Sequence, residues 1–250
     1  MKKHRYQSNA EFVTFVLSFA FKAIVYCLFM VAGPLYAAQS FSLGATINGS
    51  GWNGDNRSTG TRFESNKGGQ FALSGSYRRD KFYTGVNLQG GDYTFADDAP
   101  DQITSLGTIS SNNTVVEHNE LDLLAGYYFW PNVSLFLDLK GVTSKWSNGY
   151  LQNLTGLGVG VSAFRALKPD WIVFGSLGFV NGDIKEKDKS RLGRGSSNAL
   201  VLGTVYTLKP RQHLNFGIKL RNYEFDYDNG QDQRYSINAL FIGYNHVFDW

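Results

Sequence analysis

The run ALFIGYNHVFDW, residues 239–250, alternates between two kinds of side chain. Every second residue is apolar or aromatic, with one histidine among them: Leu240, Ile242, Tyr244, His246, Phe248 and Trp250. A period of two places these side chains on one face of a β-strand. The run therefore predicts a strand that has one apolar face and ends on an aromatic residue.

This ending resembles the closing strand of bacterial outer-membrane β-barrel proteins, in the superfamily of small barrels with eight to ten strands. The resemblance implies that the barrel assembly machinery recognises the strand. Tyr244, Phe248 and Trp250 would then form the assembly signal. No particular family within the superfamily is indicated.

The beginning of the chain has the order of a secretory signal peptide: basic residues, an uncharged run and a small-residue site. Lys2 and Arg5 precede the run AIVYCLFMV at 23–31, and Ala37 and Ala38 follow it. We predict a cleaved signal peptide at residues 1–37 and one barrel domain at 38–250. The alternatives are cleavage after Ala38, or an uncleaved anchor at 12–32, which is almost long enough to span a bilayer.

The net charge of +3 belongs to the predicted signal peptide. Residues 1–37 hold four of the 24 basic residues and one of the 21 acidic ones, which leaves 20 of each. A balanced mature chain gives no reason to expect nucleic-acid binding. Cys27, the single cysteine, also lies in the signal, so we expect no disulfide. We predict no cofactor and no metal site.

After the signal, no apolar stretch approaches the length of a membrane-spanning helix, so a membrane could be crossed only by a closed sheet. Segments of alternating hydrophobicity are typical of such barrels. Ten are present, at residues 41–47, 71–77, 82–88, 121–129, 133–139, 157–163, 171–179, 200–206, 214–220 and 240–250. We predict an all-β, transmembrane up-and-down antiparallel β-barrel of ten strands. Eight strands is the alternative and would require two segments to be discarded.

Prolines separate three pairs of these segments. Pro131, Pro169 and Pro210 are 38 and 41 residues apart, and Asp80 marks a fourth short turn. Proline cannot donate to a sheet ladder, so it suits turns. The other connections are longer or rich in Gly, Asn and Asp, at 50–69, 96–114, 147–149, 181–197 and 228–230. We expect short turns and both termini in the periplasm and the long loops outside the cell.

Two of these connections, 147–149 and 228–230, are tight. Read as two-residue Asn-Gly turns, they would set inward residues opposite outward ones. A three-residue loop with a left-handed glycine and a bulge keeps the alternation in step. It pairs Trp146 with Tyr150 and Tyr227 with Gln231, and we predict this form.

The two faces of the predicted strands differ in polarity. Inward positions are small or polar: Ser74, Ser76, Asn87, Gln89, Gly156, Gly158, Gly160, Ser162 and Asn215. This argues against a soluble, lipocalin-like barrel, whose interior would be apolar. We predict two aromatic girdles. One is at the short turns (Tyr77, Phe82, Phe129, Trp130, Trp171, Phe248 and Trp250), and one is near the loop ends (Phe95, Trp146, Phe179, Phe225 and Tyr235).

Six ionisable residues are predicted to point inward at one depth: Glu120 and Asp122, Asp138 and Lys140, Lys219 and Arg221. A turn centred on Pro131 places Asp122 opposite Lys140. In a ring of ten strands, the carboxylates would face Lys219 and Arg221 across the lumen. The cluster is either a salt-bridged plug, as in small barrels, or the charged lining of a narrow pore.

The residues of known outer-membrane enzymes are not matched. Omptin proteases have ten strands and use paired aspartates with an Asp–His couple at the extracellular rim. This chain has Asp97 next to Asp98, and Asp226 near Asp228, but no Asp-x-His. Lipid A deacylases need a His-x-Ser, and His246 has no serine two residues later. A protease or lipid A-modifying enzyme is the less favoured hypothesis.

The fourth long connection has an excess of basic residues: Lys185, Lys187, Lys189, Arg191 and Arg194. Such a run is either simply solvated or pairs with the phosphates of lipopolysaccharide. We predict a monomeric, non-enzymatic barrel of the bacterial outer membrane, structural or presenting its loops to partners. The alternative is a narrow passive channel for small solutes or ions. The expected partners are membrane lipid, lipopolysaccharide and the assembly machinery.

Overall fold

The computed structural model describes residues 39–57, 59–187 and 191–249, so the predicted signal peptide lies outside the described residues. Within them, no helix is long and apolar enough to cross a membrane. The strands are β1 (Gln39–Asn56), β2 (Thr61–Glu64), β3 (Lys67–Arg79), β4 (Phe82–Asp98), β5 (Gln102–Thr104), β6 (Gly107–Ile109), β7 (Asn112–Trp130), β8 (Val133–Trp146), β9 (Leu151–Lys168), β10 (Trp171–Glu186), β11 (Arg191–Lys209), β12 (Gln212–Tyr227) and β13 (Asp232–Asp249).

Ten of these strands form a closed antiparallel barrel, in the order β1, β3, β4, β7, β8, β9, β10, β11, β12 and β13. The ring closes between β13 and β1, where Ile242 lies opposite Ile47. Each barrel strand contains one of the ten predicted segments, so the prediction of ten strands is confirmed. β2 pairs with one end of β1, and β5 and β6 form a separate hairpin. Neither addition was predicted.

Four two-residue turns join strands at one end of the barrel, at 80–81, 131–132, 169–170 and 210–211. All four were predicted, three of them from proline. Asp80 and Arg211 have positive φ angles of 53° and 72°. These short connections fix neighbouring strands in register at this end.

The two tight connections at the opposite end have the predicted three-residue form. The Trp146 amide donates to the Tyr150 carbonyl (2.9 Å), and the Tyr227 amide donates to the Gln231 carbonyl (2.8 Å). Gly149 and Gly230 have φ angles of 92° and 81°, in the left-handed region. Because only glycine adopts this region without cost, these turns depend on it.

We expect Gly149→Val to lower the free energy of unfolding by about 1 to 2 kcal/mol, the cost of holding a side-chain-bearing residue in left-handed backbone. A Cβ at Gly149 meets nothing within 4 Å, so the effect is conformational rather than steric. Gly141→Val is the matched control, because its Cβ site is equally open and its φ is ordinary. Urea titration of both variants, followed by gel migration of unboiled samples, measures the difference. Equal losses would contradict this account.

A band of exposed apolar side chains surrounds the barrel on the side of the short turns. It includes Leu43, Ile47, Leu73, Phe82, Trp130, Leu135, Leu157, Trp171, Leu240, Ile242 and Phe248. A transmembrane strand needs about 9–11 residues, whereas most barrel strands here have 16 to 19. Beyond the band the outer face becomes polar, for example at Thr155, Asp183 and Glu224. The barrel wall therefore continues past its apolar belt.

The part of the barrel beyond the apolar belt is here called the upper part, and its interior is apolar. The interior on the side of the short turns, the lower part, is polar. A continuous cluster of buried side chains, here called the aromatic core, fills the interior of the upper part: Trp52, Phe63, Tyr93, Phe95, Val116, Val142, Trp146, Leu154, Ile184, Tyr223, Phe225, Tyr227, Tyr235 and Ile237. Trp52 lies at its centre, with ring centroids 4.9 Å from Tyr235 and 5.2 Å from Tyr93.

The predicted upper girdle is therefore wrong for four of its five residues. Phe95, Trp146, Phe225 and Tyr235 are buried inside the barrel, and only Phe179 faces outward. The physical reason is that the wall at their level lies above the apolar belt, so their rings escape water by turning inward. The lower girdle has exposed aromatics as predicted at Phe82, Phe129, Trp130, Trp171 and Phe248, whereas Tyr77 is half-buried and Trp250 lies outside the described residues.

Residues 99–111, here called the mouth segment, fold across the upper end of the barrel and contain β5 and β6. The Trp146 indole donates to the Pro100 carbonyl (3.0 Å), and Gln233 donates to the Asp101 carbonyl (3.3 Å). The Tyr150 hydroxyl donates to the Ile103 carbonyl. The carboxyl of Asp101, in the same segment, is partly removed from water, which raises its pKa above the ordinary value. These contacts reach strands around the rim, so the mouth segment covers the opening.

A candidate functional site: the charged layer across the lumen

Between the aromatic core and the short turns lies a layer of ionisable side chains, here called the charged layer. Its predicted members are Glu120 and Asp122 on β7, Asp138 and Lys140 on β8, and Lys219 and Arg221 on β12. Their shared orientation on each strand follows from strand alternation, since the two members on each strand are two residues apart. The register places Asp122 opposite Lys140, the partner that the Pro131 turn predicts.

Lys140 is held by two carboxylates. Its ammonium lies 2.9 Å from Glu120 Oε2 and 2.5 Å from Asp122 Oδ1. Asp122 also accepts a hydrogen bond from the Asn87 amide (3.2 Å). An ammonium removed from water is costly unless its donors are used. Here two of its three donors reach charged oxygens.

The second cation of the layer comes from the opposite wall. The Arg221 guanidinium donates to Glu120 Oε1 and, at 2.7 Å, to Gln70 Oε1. In the ring of ten, β7 and β12 are five places apart in either direction, so they are diametrically opposed. The Glu120–Arg221 ion pair therefore crosses the lumen at its full width.

Glu120 is the centre of this arrangement. Besides Lys140 and Arg221, its carboxylate accepts a hydrogen bond from the Tyr223 hydroxyl (2.9 Å) and contacts His118 Nε2 at 3.0 Å. His118 Nδ1 contacts the Ser144 hydroxyl, also at 3.0 Å. Its four partners fully occupy the carboxylate, and all are buried.

The two remaining members, Lys219 and Asp138, lie beside this network and form no ion pair with any residue in the described part of the chain. Lys219 donates to Gln89 Oε1 at 2.8 Å, and Gln89 in turn donates to Gln70. Asp138 Oδ1 is buried and has no hydrogen-bond partner within the described residues. The structure thus joins four of the six predicted residues directly and links Lys219 through glutamines.

Sequence reasoning did not place three further side chains in the charged layer. Gln70, His118 and Tyr223 all contact the charged residues. Alternation alone could have placed them inward, because they lie on inward positions of β3, β7 and β12. Their depth could not be deduced, since it depends on the stagger between distant strands.

The layer offers little for catalysis. Both nitrogens of His118 are occupied and its side chain is fully buried. Asp97 and Asp98, which are exposed, end β4 without an Asp-x-His partner. Over the described ranges, no group of three or more His, Cys, Asp or Glu residues could hold a metal ion. The arrangement can hold opposite walls together and block passage.

The basic connection is shorter than predicted, because β10 and β11 continue into it. Lys185 and Arg194 lie on strands, Lys187 follows β10, and Lys189 lies outside the described residues. Arg191 contacts Asp183 at 3.3 Å and Asp228 at 3.5 Å. The sequence predicts a loop here because the region is long and rich in Gly, Asn and Asp, a composition that the strands beyond the apolar belt share.

The predicted assembly residues lie on the closing strand β13. Tyr244 and Phe248 are exposed on its outer face, within the apolar belt. The Tyr244 hydroxyl is 3.4 Å from His246 Nδ1, and the His246 ring packs on Phe248 with centroids 4.5 Å apart. Trp250, the third predicted member, lies outside the described residues.

No protein-family model and no curated protein matches this chain. Among solved structures, it is similar to the outer membrane protease OmpT from Escherichia coli, with a TM-score of 0.54 and 12% identity over 86% of this chain and 99% of that chain. An outer membrane channel from Pseudomonas putida F1 gives a TM-score of 0.40 and 12% identity, over 86% and 97% of the two chains. Neisserial surface protein A gives 0.35 and 12%, over 83% and 97%.

At this level of identity, the likeness to OmpT concerns the fold alone. The chain has the fold of the bacterial outer-membrane β-barrels, with ten strands.

Proposed function

We propose that this chain is an integral protein of the bacterial outer membrane, with the short turns and both termini in the periplasm and the mouth segment outside the cell. The apolar belt supports a bilayer setting, because a soluble barrel would gain nothing from exposing Leu157 or Leu240. The polar outer wall above the belt and the short turns below it support the orientation.

We propose further that the barrel is a closed, non-enzymatic scaffold that presents its upper wall and mouth segment to the surroundings. The observation that carries this is the Glu120–Arg221 ion pair, which joins opposite walls inside the lumen. The aromatic core lies directly above it, and the mouth segment lies above the core. A solute would have to displace three successive layers.

Planar bilayer recording tests the closed barrel. We expect the purified protein to give no steady conductance, because the charged layer and the aromatic core leave no continuous water path. An open porin recorded in the same bilayers shows that insertion is detected. Steady, salt-dependent conductance whose ion selectivity changes in Lys219→Glu would contradict the proposal and establish the alternative, a narrow channel.

An enzyme remains the less favoured function. OmpT is a protease, but its activity does not transfer with its fold. Among the residues that the structure describes, the exposed pairs Asp97–Asp98 and Asp226–Asp228 have no histidine beside them, and His118 is engaged by Glu120 and Ser144 within the barrel. Without a base next to a water-accessible acid, we propose no hydrolytic step.

The proposed partners follow from position. Lys185, Lys187, Arg191 and Arg194 lie at the upper end of β10 and β11, where the phosphates of lipopolysaccharide would be in reach. Lys189, the fifth predicted contact, lies outside the described residues. Tyr244 and Phe248, with Trp250, would be recognised by the barrel assembly machinery. We propose a monomer, because the ten-stranded ring closes between β13 and β1 and so leaves no barrel strand unpaired for another copy.

A further inference from the structure

The outer surface of β8 to β12 carries a groove of about 640 Å³ at the boundary between the apolar belt and the polar wall. The register divides its lining into two rows. Leu139 and Leu157 are opposite each other on the side of the belt. One row higher, Thr155, Asp183, Arg194 and Asp226 are successive neighbours across four strands.

The floor of the groove is backbone. Gly182 lies opposite both Gly156 and Gly195, so three glycines adjoin across β9, β10 and β11. A Cβ at Gly182 would lie 2.1 Å from the Thr155 carbonyl oxygen, and one at Gly156 would lie 2.5 Å from the Asn181 carbonyl oxygen. No larger residue fits there without moving the chain. The three glycines occupy inward positions, so they present backbone to the groove, and the outward side chains beside them form its walls.

The charges along the upper row are not equivalent. Arg191 engages Asp183 at 3.3 Å. Arg194 is exposed and, across the residues that the structure describes, its side chain has no ion pair or hydrogen bond. A guanidinium with free donors is suited to bind a phosphate in a forked geometry. Asp226, together with the side chains of Asn181 and Ser196, supplies groups that hydrogen-bond to hydroxyls.

We propose that this groove binds one molecule of a phosphorylated, acylated sugar, the chemistry of lipid A. Arg194 binds the phosphate, the polar row binds sugar hydroxyls, and the acyl chains lie along Leu139 and Leu157 into the bilayer. The inference rests on the proposed membrane placement, which brings the groove to the level of the lipid headgroups. The sequence predicts a contact spread over five basic residues. The groove is instead a single site, in which Arg194 binds the phosphate and Lys187 lies outside the contact.

Binding of lipopolysaccharide to the detergent-solubilised, folded protein tests the site. We expect Arg194→Ser to weaken binding about tenfold or more, the equivalent of one charge-assisted hydrogen bond. Ser196→Trp, which fills the groove from outside, should weaken it similarly. Arg62→Ser is the matched control, an exposed arginine on β2, and should change binding less than about twofold.

Several outcomes would overturn the site. They are equal binding by Arg194→Ser and Arg62→Ser, an equal loss in Lys187→Ser, or equally tight binding of soluble glucosamine phosphate, which lacks acyl chains. Retained heat-modifiable migration shows that each variant is folded. Because conductance is recorded separately, a silent barrel that fails this binding test loses the groove and keeps the proposed closed scaffold.

Discussion

Glu120→Leu should lower the free energy of unfolding by about 3 to 5 kcal/mol, among the largest effects of any single change in this chain. The substitution removes the carboxylate that both Lys140 and Arg221 contact. Lys140 keeps Asp122, but Arg221 is left buried with only a neutral partner, Gln70. The measurement is a urea or guanidinium titration in lipid vesicles, read by the migration of unboiled samples on a gel.

The double variant Glu120→Leu with Arg221→Met separates coupling from packing. Removing both charges leaves neither partner of this pair as a buried unpaired ion, so the double change should cost less than the sum of the two single ones, by about 1 to 3 kcal/mol. Glu224→Leu is the control, because it breaks an exposed pair with Arg234 (3.1 Å) and should cost less than about 1 kcal/mol. Additive losses, or an effect of Glu120→Leu no larger than the control, would show that the layer does not hold the walls together.

The sequence predicts the wall of this barrel well because alternation is a local property. Strand positions, the four short turns and the two glycine turns all follow from patterns a few residues long. The opposition of Asp122 and Lys140 follows from one turn, centred on Pro131. Contacts that combine several strands, such as Gln70 with Arg221, depend on the stagger around the whole ring and could not be derived.

The errors also have one physical cause. The prediction assumed that the wall ends at the membrane surface, so Phe95 and Trp146 were assigned to an outer girdle. In the structure the strands continue beyond the apolar belt, and there the outer face is polar and the interior is apolar. Outward charges at Asp183 and Arg194, alternating with Gly182 and Gly195, then have the composition of a loop although they are strand.

The position of the mouth segment cannot be predicted from local sequence patterns. Residues 99–111 carry few regular features beyond the short hairpin of β5 and β6. Their position is set by distant partners, including the indole of Trp146 and the amide of Gln233. The position of the mouth segment over the rim is thus specified by the completed barrel.

The second large effect is expected in the aromatic core. The upper part of the barrel is stabilised by buried apolar side chains in its interior, as the core of a soluble protein is. Trp52 is 1% exposed and packs on Tyr93, Phe95, His118 and Tyr235. Trp52→Ala should therefore cost about 3 to 5 kcal/mol, the loss of a large buried ring together with the cavity it leaves.

Trp171, which is 38% exposed on the outer belt, is the matched control. Trp171→Ala keeps the interior intact and should cost about 1 to 2 kcal/mol, mainly its ring contact with Tyr206. Gel migration during urea titration compares the two without relying on tryptophan fluorescence. If Trp171→Ala were the more damaging change, the barrel would be held chiefly by its lipid-facing belt and the upper interior would be a loosely filled vestibule.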